Sequence, residues 1–177
     1  MDFGLLVIRL VLGLTLAAHG AQKLFGVFGG HGLKGTGAFL ESLGFRPGRR
    51  HAEIAGVVEL AAGLGIALGL LTPFASAAAI GVMIVAALAV HRNSFFVTSG
   101  GFEYAFVVAG VATGLAFTGP GFVSIDRFLD LDLRGTAWGV LALALGGAAA
   151  AAQLSLRNSD VDEADIDLRD DADLAVK

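Results

Sequence analysis

An all-α, polytopic transmembrane helix bundle is the fold this sequence predicts, with four core helices and a fifth at the C-terminal end. Three observations carry that prediction. Hydrophobic residues make up 55 % of the chain and charged residues only 16 %, against about 25 % charged in soluble globular domains, and mean hydropathy is +0.76. Apolar runs recur along the chain, the first long enough to cross ~30 Å of hydrocarbon at ~1.5 Å per residue. There are also 26 glycines and many alanines, the small residues that let membrane helices approach closely.

The first run, Phe3 to Phe28, carries Arg9, His19 and Lys23. Each ionisable group at membrane depth costs roughly 2.5–3.5 kcal/mol even on insertion scales, so these three need partners. A cleaved secretory signal would have a positive start and an unbroken apolar core. Here Asp2 is the first charge and Arg9 interrupts the core, so the run is expected to be retained.

Residues 29–51 begin Gly-rich and then place Phe39, Leu40 and Leu43 opposite Glu41 and Ser42, the pattern of a short helix lying in the membrane interface. Lys34, Arg46, Arg49 and Arg50 form a basic cluster, each worth roughly 1 kcal/mol against anionic headgroups. The second run spans 52–71 and the third 74–90, with Thr72-Pro73 as the turn between them. The fourth covers 102–118. Gly119-Pro120-Gly121 turns the chain, and Ser124 to Arg134 is a polar connector. These four spans define a transmembrane domain over residues 1–135. An alanine-rich run from Thr136 to Ala152 predicts a fifth transmembrane helix over 136–156.

The net charge of −4 is unevenly divided. Residues 1–153 hold nine Lys/Arg and eight Asp/Glu, whereas residues 154–177 hold three and eight. The acidity belongs to the tail, 157–177, which lacks apolar periodicity and is expected to be disordered. With five spans, the side holding 29–51 and the tail carries Lys34, Arg46, Arg49, Arg50, Arg92 and Arg157, against Arg127 and Arg134 opposite. The positive-inside bias then puts the basic loop and the tail in the cytoplasm.

Depth along each helix sorts the buried charges. His19 and Lys23 share a helical face at i, i+4, roughly 13 and 7 Å below the cytoplasmic end, and Glu59 lies roughly 10 Å deep. His91 ends the third span on that side and Glu103 starts the fourth. One layer therefore collects His19, Lys23, Glu59, His91 and Glu103, a polar cluster suited to a quinone or proton site. Arg9 lies toward the other side, where Asp126 is its expected ion-pair partner. Locking of helix packing is an equally direct reading of both pairings.

Small-xxx-small spacing occurs in span one as Gly13, Ala17, Ala21 and in span two as Ala61, Gly65, Gly69. Packing within the chain explains it best, though a homo-oligomer uses the same spacing. Of the four histidines, only His19 and His91 fall on spans; His31 sits in a Gly-rich loop and His51 beside two arginines, where solvent would satisfy them. No His-x3-His or Glu-x2-His spacing is present, so no metal site is expected, and a bis-histidine haem is disfavoured. The chain has no cysteine, which excludes disulfides, iron–sulfur ligation and thiol-relay chemistry by its own groups. Nothing supports nucleic-acid binding.

The ordered motifs add a family resemblance. His19-Gly20-x2-Lys23, Leu43-Gly44-Phe45, Gly56-x2-Glu59-Leu60, Gly69-Leu70-Leu71-Thr72-Pro73, Gly100-Gly101-x-Glu103 and Gly119-Pro120-Gly121-x2-Ser124-x-Asp126 together resemble the DoxX family of small membrane proteins, over roughly residues 3–130. The resemblance implies a four-helix bundle in a bacterial or archaeal cytoplasmic membrane. It also implies association with membrane redox systems, since relatives include subunits linked to thiosulfate:quinone oxidation and others connected with oxidative-stress complexes. Its pattern positions fall here on Arg9, His19, Lys23, Glu59, Glu103 and Asp126. The fifth run and acidic tail depart from the usual four-helix pattern.

Three readings of function follow. One is a membrane subunit of a quinone-linked redox complex, with no covalently bound cofactor, quinone near the polar cluster, and electrons supplied by a partner such as a soluble redox enzyme or respiratory subunit. The second is a non-catalytic scaffold in the lipid bilayer that docks such enzymes through the basic loop and acidic tail. A small transporter is the third, disfavoured because neither an internal repeat nor paired broken helices is evident.

Overall fold

The computed structural model describes residues 2–158. Helix α1 runs Asp2–Phe25, α2 Gly32–Ser42, α3 Gly48–Leu68, α4 Thr72–Val85, α5 Glu103–Thr118, α6 Ile125–Phe128 and α7 Thr136–Ser155. A π-helical turn, Ala86–Val90, continues α4. No β-strand occurs among the described residues. The tail expected from residue 157 lies outside the described residues from 159 onward.

Four of these helices, α1, α3, α4 with its π turn, and α7, are long and apolar enough to cross a membrane. The α5 helix is equally apolar but has 16 residues, about 24 Å at the α-helical rise. The chain is a multi-pass membrane protein built as an all-α bundle. Large apolar side chains cover its outer faces, among them Val11, Leu14, Val57, Phe106 and Leu143, as expected of helices solvated by lipid.

Helix ends differ from the sequence reading where glycine stops them. The first apolar run extends to Phe28, but α1 stops at Phe25 because Gly26 takes a left-handed φ of 70°. At its other end α3 begins at Gly48, four residues before the apolar run that predicted it.

The core lies between α1, α3, α4 and α5. Leu12 and Leu16 meet Ala62 and Ile66, and these pack against Ala79, Ile80 and Met83 and against Val108, Ala112 and Leu115. Helix α7 packs on α4 and α5, with Ala142 beside Ala77 and Ala116. It returns the chain to the end that holds the 29–51 loop. There Arg157 Nε donates to the Leu43 carbonyl at 2.7 Å and the Asn158 amide donates to the Gly44 carbonyl at 2.9 Å.

The closest helix contact is between α1 and α3. A Cβ added at Gly13 would lie 2.5 Å from the Gly63 carbonyl oxygen, and one at Gly20 2.5 Å from the Leu60 nitrogen. Only hydrogen fits at these positions. The small-residue seam is therefore Gly13, Ala17 and Gly20 against Gly56, Gly63 and Ala67. That corrects the α3 register: Gly65 instead faces α4, near Ala75 and the Leu70 carbonyl, and Gly69 belongs to the following turn.

Enlarging this seam should separate the two helices. Gly13→Val is expected to cost at least about 1–3 kcal/mol, the usual range for overpacking. Gly110→Leu, where nothing lies within 4 Å of the added carbon, should change stability by less than about 0.5 kcal/mol. Unfolding curves in mixed detergent micelles compare the two, and equal effects would contradict the seam.

Candidate functional site

Two polar centres lie along α1, one near each end. At the end facing the 29–51 loop, Lys23 Nζ contacts Glu59 Oε2 at 2.5 Å. The glutamate side chain is 5 % exposed and the lysine 28 %, so the pair is largely removed from solvent. The glycine seam makes this reach short, because Gly56, one turn before Glu59, packs directly on Lys23 and Leu24.

His19 does not join that ion pair. Its Nδ1 pairs with the Thr15 carbonyl at 2.9 Å, and its ring stacks on Tyr104 of α5 at 5.2 Å between centroids. Tyr104 in turn lies within electrostatic reach of Glu59. Sequence reasoning missed this residue, although it is the chain's one tyrosine and adjoins Glu103. The result is a small polar group, Lys23, Glu59, Tyr104 and His19, where α1 faces α5.

Glu103 and His91 are placed elsewhere, which corrects the five-residue cluster. Glu103 Oε2 accepts the Val97 amide at 3.0 Å, and His91 Nδ1 pairs with the Gly100 carbonyl at 2.8 Å. Both hold the loop between α4 and α5. The sequence depth was adequate for them, but depth says nothing of which way a residue at a helix terminus turns. A loop amide that needs an acceptor captures Glu103, and a loop carbonyl that needs a donor captures His91.

At the opposite end, Arg9 is 2 % exposed and Asp126 1 %. They occupy one knot, yet the direct ion pair expected between them is not what forms. Among the described residues, the Arg9 guanidinium makes four hydrogen bonds, all to main-chain carbonyls. Nε donates to Ile66 at 3.0 Å, Nη2 to Ala67 at 2.9 Å, and Nη1 to Pro120 at 2.6 Å and Val123 at 2.7 Å. Asp126 accepts from the Leu71 amide at 2.6 Å and from the Thr72 amide and hydroxyl at 2.9 and 2.7 Å.

The physical reason is that helix ends leave carbonyls and amides unpaired. Arg9 satisfies the last carbonyls of α3, where the helix dipole favours a cation, and Asp126 satisfies the first amides of α4, where it favours an anion. Between them the turn passes through Gly69 at φ 62°, whose Cβ would lie 2.8 Å from Arg9 Cζ.

A cavity of about 310 Å³ lies on another flank of α3, walled by α2, α3, α4 and α7. Leu40, Ile54, Val58 and Val82 supply apolar walls, and Phe45, His51 and Gln153 also line it. His51 is only 6 % exposed, a correction to its expected place in solvent. Its Nδ1 accepts from the Gln153 amide at 2.7 Å and its ring packs on Phe45 at 5.4 Å. The signal for this site was Gln153, a lone amide closing the alanine-rich run. Among the described residues, no group of three or more His, Asp or Glu is arranged to hold a metal.

The family model described as DoxX matches residues 4–92, half of the chain. The protein belongs to the DoxX family. No curated protein and no solved structure matches it. Within the DoxX match fall Arg9, Lys23, His51 and Glu59, whereas Tyr104, Asp126 and Gln153 lie beyond it.

Removing Arg9 from this DoxX protein strands several carbonyls at once. Arg9→Met is expected to lower unfolding free energy by at least about 3 kcal/mol, since each buried unsatisfied group costs about 1–3. Arg9→Lys should recover only part of it, because an ammonium cannot reproduce the planar fork. Unfolding in mixed micelles measures both, and a loss below about 1 kcal/mol would show that the carbonyls find other partners.

Proposed function

We propose that this protein is a membrane subunit of a quinone-linked redox complex, in which Lys23 and Glu59, with Tyr104 and His19 beside them, handle protons for a bound quinone. The observation that carries the reading is the Lys23–Glu59 contact, an ion pair set between two membrane helices at 2.5 Å. Ionisable groups at such depth are expensive and commonly mark proton or ligand paths. Quinone supplies two-electron chemistry that must be matched by protons. Lys23 Nζ donates to Glu59 Oε2, and that shared hydrogen bond is the path by which a proton passes between the two groups. Tyr104 and His19 extend the group toward the face between α1 and α5.

Electrons come from a partner protein, because the chain carries no cysteine and no haem or flavin motif. In this proposal the end holding Lys34, Arg46, Arg49 and Arg50 is cytoplasmic, in a bacterial or archaeal cytoplasmic membrane, and α7 crosses as a fifth span. Soluble redox enzymes would meet the basic loop there. The competing scaffold reading draws on the same loop but assigns no chemistry to Glu59.

Glu59→Gln separates them. The amide can still accept a hydrogen bond from Lys23, so the fold is expected to persist while the proton site is lost. Quinone-dependent oxidoreductase activity in membranes with equal amounts of each protein should fall at least about tenfold, a barrier change of about 1.4 kcal/mol. Activity equal to wild type would favour the scaffold.

A further inference from the structure

We infer that the acidic segment from Asp160 to Asp173 docks on the basic face formed by Lys34, Arg46, Arg49 and Arg50, and covers it against other polyanions. The chain is then its own first partner at this end of the bundle. Nothing in this docking depends on the chemistry assigned to Glu59. Three observations carry it.

The first is where the segment starts. Arg157 and Phe45 form an isolated antiparallel bridge. Arg157 Nε donates to the Leu43 carbonyl at 2.7 Å, and the Asn158 amide donates to the Gly44 carbonyl at 2.9 Å. Gly44 permits this approach, since at its φ of 92° a Cβ would lie 2.7 Å from the Asn158 carbonyl oxygen. Asp160 is two residues beyond Asn158, and Arg46 two residues beyond Gly44. From Asn158 to Asp173 the extended chain spans up to ~50 Å at ~3.3 Å per residue, so the whole face is within reach.

The second is how the face is built. It lies where α2 crosses the first turn of α3. A Cβ added at Gly37 would lie 3.0 Å from Arg49 Cα, and Lys34 stands just under one turn before Gly37. Arg46, Arg49 and Arg50 flank the start of α3 at Gly48, and all four basic residues are exposed. Arg49 Nε reaches Glu53 at 3.1 Å in an exposed pair. Lys34, Arg46 and Arg50 form no ion pair among the described residues. Glu41 and Glu53 are the acids of residues 29–53, against four Lys/Arg. The N-terminal dipole of α3 adds to this positive field, with no acidic residue in its first turn and no side-chain cap.

The third is charge. Residues 160–173 hold eight Asp/Glu and one basic residue, Arg169. Single exposed pairs are weak and screened by salt. Here many charges act together, and the tether at Asn158 raises the effective concentration of the segment to roughly millimolar. An untethered acidic protein has to match that concentration to displace it. Docking therefore closes the basic face to weak anionic partners and leaves it open to strong ones.

The test uses the full chain, one copy per phosphatidylcholine nanodisc, treated with a water-soluble carbodiimide. The reagent activates a carboxylate, a touching lysine amine displaces it, and an amide forms with no spacer. Lys34 is the lysine of this face. At low salt, peptide mass spectrometry should find Lys34 joined to a carboxylate of residues 160–173. At about 500 mM salt, where the screening length is only a few ångströms, the yield should fall at least about tenfold. The combined variant Arg46→Glu, Arg49→Glu, Arg50→Glu keeps Lys34 and should lose the link to the same degree. The salt series needs no variant, so it decides the matter even where the reversal disturbs the start of α3.

Lys34 joined to Glu41 alone, or to nothing, would overturn the docking. So would a link to residues 160–173 formed in equal yield at both salt concentrations. No link, together with phosphatidylglycerol retained in preference to phosphatidylcholine in discs of both lipids, would assign the face to bilayer headgroups instead.

Discussion

Two main chains lie in direct contact where α1 crosses α3, with hydrogen rather than carbon at Gly13, Gly20, Gly56 and Gly63. Lipid supplies no hydrophobic drive for such an association, so close packing and polar contacts must hold it. That closeness sets both polar centres. It brings Lys23 within 2.5 Å of Glu59 at one end. At the other it lets Arg9 reach the Ile66 and Ala67 carbonyls. A wider crossing would leave the charges of α1 stranded at depth, and a helix with three ionisable groups could not be placed there.

Main-chain satisfaction explains the outer knot better than charge pairing does. An isolated Arg–Asp pair would neutralise two charges but leave the ends of α3 and α4 unpaired in a region without water. Dividing the work, with Arg9 on carbonyls and Asp126 on amides, satisfies the helix ends and keeps the charges close enough to compensate each other. The short turn through Gly69 and Leu71, both at left-handed φ, is held between them.

The bundle was legible in the sequence because apolar length and small-residue content are sufficient for it. The partner of Lys23 was legible for a similar reason: few acidic residues share its depth, and helical rise ranks them. What depth could not supply was azimuth. It left Glu103 and His91 in the cluster, although termini turn them into their own loop. It also hid Tyr104, whose meaning depends on which face of α5 meets α1. His51 was misread because its two arginine neighbours suggested solvent, whereas on a helix the residue after them points a quarter-turn away and into the packing of α7. The α3 glycine register failed likewise, since several small-xxx-small sets compete on one helix and only the partner selects among them.

Helix α3 thus carries different chemistry on adjacent flanks, an ion pair toward α1 and an apolar cavity toward α4 and α7. In the proposed reading, Glu59 changes protonation when a bound quinone is reduced. Infrared difference spectra of the reconstituted protein, recorded as the quinone is reduced electrochemically, test it most directly. A carboxyl band present in wild type and missing in Glu59→Gln is the expected result. Identical spectra from the two proteins would contradict it and leave the Lys23–Glu59 contact as a packing device alone.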